Sequence, residues 1–189
     1  VPFFLAHTKK IKINKKDVPS LVASGIFIIT LNITFFYLGI ERTTATSAAT
    51  LTLIIPILSV LFGWWFLKEK IYSINLVGVA LGLAGALIIL GLPQIILGNV
   101  SPETLIGNFF IILCSISWVI GAVFSRKMLK IYPSLVVTAV AFLVGVITFF
   151  PPALWEYLQN PGWPYQVTIL GVMGLVYITL LSSISAYFL

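Results

Sequence analysis

Long apolar stretches alternate with short polar ones along the whole chain. Six stretches approach the length of a membrane span, roughly 18–40, 45–67, 73–92, 104–125, 133–154 and 166–189, and residues 1–6 read as the end of a seventh. A helix rises ~1.5 Å per residue, so about 20 residues cross a hydrocarbon core ~30 Å thick. The runs are apolar on both parities, whereas a barrel strand would alternate. Short connections make successive helices antiparallel neighbours. The pattern predicts an all-α fold, a polytopic transmembrane helical bundle.

Composition leaves the bilayer as the only solvent. Hydrophobic residues make up 60% of the chain and charged residues 8%, where a soluble domain carries about a quarter charged. The chain begins "VPFFLA" without an initiator Met and ends in the apolar run "SAYFL"; both ends read as cuts through membrane segments, so a fragment is expected. No signal peptide is recognisable, because the basic cluster follows the first apolar stub. Cys114 lies alone in an apolar run and His7 alone in a basic loop, so no disulfide framework, metal set or cofactor is expected.

The charges report topology. One set of alternate loops holds Lys9, Lys10, Lys12, Lys15, Lys16, Lys68, Lys70, Arg126, Lys127 and Lys130; the other holds Arg42 alone. The positive-inside rule places the loops 7–17, 68–72 and 126–132 in the cytoplasm, which puts Glu41, Glu103 and Glu156 outside. The net charge of +6 is then a matter of orientation and of contact with anionic lipid, and "HTKKIKINKK" is too short and too close to the bilayer for nucleic acid. Trp64 and Trp65 precede Lys68, and Trp155, Tyr157, Trp163 and Tyr165 cluster around the outer loop "WEYLQNPGWPYQ". Interfacial anchoring accounts for such rings; a gate is the alternative.

Polar positions inside the apolar runs carry the functional signal. No span holds an acid, Lys, Arg or His at mid-depth, which removes paired-aspartate proteases, acidic metal motifs and most proton relays, and argues against an enzyme. What remains is neutral. Thr30, Thr34 and Tyr37 share one face of the 18–40 span, with Asn32 off it; Cys114, Ser117, Trp118 and Gly121 form a second stripe; Thr179, Ser182, Ser183, Ser185 and Tyr187 form a third. Such hydroxyls often bond only their own helix or a neighbour. Three stripes together point to a neutral, water-accessible cavity near the midplane. In "ERTTATSAATLTLIIPI", hydroxyls open a helix whose positive end, near Thr46, Ser47 and Thr50, favours an anionic group. Pro56 then breaks the ladder, as a bending point beside a cavity or as a plain packing kink. Gly78, Gly82 and Gly85 recur at helical spacing and are assigned to close helix packing.

The string "YLGIERTTATSAATLTLIIPILSVLFGWWFLKEKIYSINLVGVALGLAGALIILG" resembles the EamA-type members of the drug/metabolite transporter superfamily. The matching features are the small and hydroxyl residues of Thr44–Ala49, Pro56, Glu69 at the cytoplasmic edge and the helix of Gly78, Gly82 and Gly85. "GNFFIILCSISWVIGAVFSRKM" is similar to the first helix of an EamA repeat, with Trp118 and the closing Arg126 and Lys127. The resemblance implies ten helices in two inverted five-helix repeats with a substrate cavity between the halves. On that basis residues 1–92 run from the end of helix 2 through helix 5, 93–103 form an outer linker, and 104–189 hold helices 6 to 8 of a truncated second repeat. "GIFIIT" at 25–30 and "GLVYIT" at 174–179 share three of six residues and echo the repeat.

The resemblance also implies a plasma-membrane exporter of small metabolites, amino acids and their derivatives being the commonest class. The neutral wall suits a zwitterionic or uncharged solute better than a sugar phosphate. The expected partners are a small-molecule metabolite and the lipid bilayer, with a homo-oligomer compatible with both. A non-transporting membrane scaffold, or a subunit of a larger complex, is the competing reading.

Overall fold

The computed structural model of the protein describes residues 13–68, 70, 72–89, 101–159, 161–162, 168–174, 176–177 and 180. They fall into two compact units, Val1–Thr148 and Phe149–Leu189. Every described element is a helix, and four helical stretches, Val18–Ile40, Ala45–Leu67, Pro102–Leu129 and Ser134–Gln159, are long and apolar enough to cross a membrane. All four coincide with expected spans.

The first span is not one uniform helix. It runs as α1 (Val18–Gly25), a π-helical segment (Ile26–Leu31) and α2 (Asn32–Ile40). Pro19 sits in the first turn, where its missing N–H costs no intrahelical bond. The π segment occupies the centre of the span and was not foreseen. Its residues include Ile26, Ile28, Ile29 and Thr30, whose β-branched side chains crowd an α-helical turn.

The second span has two parts, α3 (Ala45–Leu51) and α4 (Ile54–Leu67). Thr44 caps α3 from an extended conformation, its Oγ1 accepting from the Ser47 amide at 3.1 Å. The break at Thr52–Leu53 is explained by Pro56. That proline cannot donate to the Thr52 carbonyl, and its ring crowds the same atom. The Ile55 amide takes the Thr52 carbonyl instead, at 3.0 Å, and Pro56 falls in the first turn of α4. α4 ends at Lys68, which has a left-handed backbone with φ 54°.

α5 (Ser73–Ile89) covers the described part of the third expected span; residues 90–100 lie outside the described set. α6 (Pro102–Leu129) begins two residues before the expected start and ends four after the expected end. Ser101 caps it, accepting from the Thr104 amide at 3.2 Å. Pro102 and Glu103 occupy its first turn and Arg126 and Lys127 its last, so charge opposes the helix dipole at both ends. α7 (Ser134–Gln159) continues through Pro151 and Pro152, so Trp155, Glu156 and Tyr157 are helical and exposed, not part of a loop. A proline φ near −65° is itself helical, and the continuation costs ladder bonds without forcing an end. Of the sixth expected span, a helical stretch is described from Ile169, where the Gly171 amide donates to Thr168 Oγ1 at 3.3 Å.

α6 is the core of the first unit. Ile111, Ser115 and Val119 are fully buried on it. At its start Ile111 packs with Ala48 and Leu51 of α3; at its end Met128 packs with Leu21, Tyr132 and Val137.

Candidate functional site

Four hydrogen-bonded residue pairs tie the first span and its flanking residues to α6 and its exit turn. The Tyr132 hydroxyl donates to Asp17 Oδ2 at 2.7 Å, and Ser117 Oγ donates to the Phe27 carbonyl at 2.8 Å. Asn32 Nδ2 donates to the Cys114 carbonyl and Sγ, both at 3.0 Å, and Thr43 Oγ1 donates to Asn108 Oδ1 at 2.6 Å. As the number rises on one side it falls on the other, so the two helices are antiparallel. An even number of crossings must then separate them. The 45–67 span and α5 (Ser73–Ile89) are the helices described between them. The same bonds place the Lys15–Lys16 end beside Arg126–Lys130, in agreement with the charge pattern of the sequence.

Glycines let these helices close. A Cβ on Gly121 would stand 2.5 Å from Ile28 Cγ1 and 2.9 Å from the Ile28 amide nitrogen. On Gly107 it would strike the Arg42–Thr43 backbone at 2.8 Å, and on Gly39 the Ile111 side chain at 2.7 Å. α7 approaches from another side: Gly25 meets Val144 and Ala141, and Gly145 meets Ile29, all within 3.0 Å of an added Cβ. The π segment is therefore clamped by α6 and α7 at Ile28 and Ile29. Single-turn π segments in long helices recur at functional sites, because they re-aim backbone groups. Here Ser117 takes one carbonyl of the segment, and Thr30 Oγ1 meets Thr148 Oγ1 at 2.7 Å. Mid-depth is thus a layer of neutral polar contacts: Phe27–Ser117, Thr30–Thr148 and Asn32–Cys114.

At the lysine-rich end the bond network closes on Asp17. Asp17 occupies the N-cap position of α1 but makes no capping bond with its side chain. Its carboxylate accepts from Tyr132, whose own oxygen accepts from the Asn14 amide at 3.0 Å. Donation to Asp17 raises the phenol above its ordinary value of 10.0, with the Asn14 amide acting in the other direction.

The sequence profile of the EamA-like transporter family matches residues 1–91 and again residues 105–189. The chain belongs to the EamA-like transporter family. The two matches leave residues 92–104 of this EamA chain between them, so the seam from Asp17–Tyr132 to Thr43–Asn108 joins residues of the first match to residues of the second. Relatives carry the name uncharacterized transporter: a Clostridium kluyveri protein is 28% identical over 171 residues, which is 89% of this chain and 53% of that protein. An Archaeoglobus fulgidus protein is 32% identical over 167 residues, 88% of this chain and 54% of that one. The uncharacterized transporter YetK of Bacillus subtilis is 26% identical over 181 residues, 94% of this chain and 53% of its own. The EamA chain therefore spans about half the length of these curated relatives. No solved structure matches it.

The hydroxyls singled out in the EamA sequence are mostly engaged. Thr34 Oγ1 donates to the Thr30 carbonyl at 2.7 Å, Thr50 Oγ1 to the Thr46 carbonyl at 2.8 Å, and Thr44 Oγ1 to Ser47 Oγ at 2.9 Å. Ser117 bonds within the seam, and Thr30 bonds Thr148 of α7. Thr46 is exposed, as are Tyr37 at 62% and Trp118 at 43%. Ser182, Ser185 and Glu69 lie outside the described residues. Of the packing glycines, Gly82 stands in ordinary contact, 3.6 Å from Ile57 to an added Cβ, and Gly78 and Gly85 meet nothing within 4 Å among the described residues. A cleft of about 500 Å³ opens there, between α4 and α5, with Leu53, Pro56, Ile57 and Val79 on its walls. No group of three or more His, Cys, Asp or Glu comes together among the described residues.

Asp17, Asn108, Tyr132 and Thr148 were not foreseen as site residues. Asn32 lies off the hydroxyl face of its span. Its signal was chemical rather than periodic: a carboxamide at mid-span must find a partner on another helix.

Proposed function

We propose that the whole protein exports small neutral or zwitterionic metabolites, amino acids or their derivatives among them, across the plasma membrane. It acts as a transporter rather than an enzyme. The observation that carries this reading is the double match to one transporter family combined with a mid-depth layer that is polar but uncharged. A charged substrate such as a sugar phosphate would call for Lys or Arg inside the spans, and the spans of this sequence have none at mid-depth.

In this reading the lysine-rich end faces the cytoplasm, and the two inverted repeats alternate access to a cavity near the midplane. Tyr37, Thr46 and Trp118 are the described candidates free to face it. The seam between the first span and α6 stays closed through the cycle. Opening it would break the bonds of four residue pairs and separate glycine contacts on both helices, so motion falls on other helix faces. With no acid, Lys, Arg or His at mid-span, coupling is absent or resides in helices beyond this chain.

One observation favours the scaffold reading instead. The hydroxyls of Thr30, Thr34, Thr50 and Ser117 are all committed to internal bonds. Efflux of a labelled metabolite panel from cells expressing the full-length gene separates the two. Faster loss of at least one neutral metabolite than from empty-vector cells supports export; equal loss of every member leaves the scaffold.

A further inference from the structure

A second cleft, of about 260 Å³, lies among Phe27 of the π segment, Phe66 at the end of α4, and Ile120, Val123, Phe124 and Lys127 of α6. Its walls are aromatic and aliphatic. Phe27 and Phe124 stack with centroids 6.3 Å apart, and Phe66 stacks on Phe62 at 5.6 Å. Lys127, exposed in the last turn of α6, is the only charged residue among the described residues lining it.

We propose that this cleft holds one acyl chain of an anionic phospholipid, with the lipid phosphate against Lys127. Size excludes a helix, whose diameter with side chains is ~10–12 Å, from so small a volume. The part of a single hydrocarbon chain nearest its headgroup fits, with the remainder running on into the bilayer. From Lys127 to Ile120 the cleft descends about 10 Å along α6, so a chain lying in it enters at the ammonium and passes among rings and methyls. A polar solute would find no partner below Lys127 on these walls.

Charge complementarity selects an anionic head. Lys127 lies between Arg126 and Lys130 in the sequence, and Lys68 follows Phe66 by two residues, at the end of α4. Cations just inside the interface attract acidic headgroups by about 1 kcal/mol each, and basic pockets between transmembrane helices bind them. The α4–α5 cleft differs on this point: among the described residues no charged one lines it, and nothing identifies its occupant.

The test uses the full-length protein in vesicles of equal parts phosphatidylglycerol and phosphatidylcholine, with benzoylphenylalanine replacing Phe124. Irradiation is expected to yield phospholipid adducts in which phosphatidylglycerol exceeds its share of the bilayer. Lys127→Gln, an exposed substitution whose folding is checked by its melting curve, should lower that excess about fivefold. Ile120→Trp, which fills the cleft, should lower the total lipid yield and leave adducts to other parts of the chain. Adducts that follow bulk lipid composition and ignore Lys127→Gln overturn the proposal. So does a purely intramolecular crosslink, which would mean that another helix covers the cleft. Neither readout depends on transport.

Discussion

Asn32 and Cys114 meet at mid-span, where one carboxamide NH2 reaches both the backbone carbonyl and the sulfur of the same residue at 3.0 Å. The pair joins the two halves of the family match at the depth where water is scarcest. Interhelical bonds in a bilayer average ~0.6 kcal/mol and reach ~1.7, since the separated helices also find partners. Asn32→Leu in the full-length protein is therefore expected to cost about 1 kcal/mol, read as a lower unfolding midpoint in detergent. No change would remove this bond from the account of the seam.

The Tyr132–Asp17 bond has a pH signature. The phenol is raised in the folded protein by donating to Asp17. A raised folded value means that the stabilisation is fully present below the ordinary value of 10.0 and is lost as pH rises through the folded value. Tyr132→Phe should lower stability at neutral pH, and should lower it more than Tyr72→Phe, whose ring is 66% exposed. The variant should also lose part of the fall in midpoint that the parent shows above pH 10.0. Parallel alkaline curves for parent and Tyr132→Phe would contradict the assignment.

Glycine substitutions should divide sharply. At Gly121 even a methyl group meets backbone, the Ile28 nitrogen at 2.9 Å. Backbone yields little, so Gly121→Ala is expected to cost about 1–3 kcal/mol. Gly78→Ala and Gly82→Ala meet open space or ordinary contact and should change the midpoint little. A Gly82→Ala loss equal to that of Gly121→Ala would show that α5 has a close neighbour among residues beyond those described.

The spans and their polarity were legible because each depends on composition over about 20 residues. The charge asymmetry likewise placed Lys15, Lys16, Arg126 and Lys130 at one end, where Asp17 and Tyr132 join. Pairings of single residues were not legible. Thr30 shares its face with Thr34 and Tyr37, yet periodicity cannot say that Thr148, 118 residues away, receives it. The hydroxyl stripes were read as a cavity wall because a packed bundle needs few polar faces. The structure spends several of them locally, as at Thr34 and Thr50, where a side chain bonds the carbonyl four residues back. The π segment left no sequence mark beyond a β-branched cluster. The break at Thr52–Leu53, by contrast, follows from Pro56 once the carbonyl four residues earlier is considered.

If the seam is static during transport, a covalent link across it should be tolerated. Thr43 Oγ1 and Asn108 Oδ1 are 2.6 Å apart at the end remote from the lysines. In a Cys114→Ala background, Thr43→Cys with Asn108→Cys should crosslink on oxidation and keep at least half of the reduced rate. Loss of transport on oxidation, recovered with reductant, would place the moving boundary at this seam.

Counterflow in proteoliposomes of the full-length protein tests the central claim most directly. Vesicles are loaded in turn with unlabelled neutral amino acids, zwitterionic derivatives and sugar phosphates, and entry of the matching labelled solute is followed. The uncharged mid-span layer predicts transient accumulation of at least one neutral or zwitterionic solute, and none of the sugar phosphates. Counterflow of sugar phosphates alone, or of no solute at all, would contradict it.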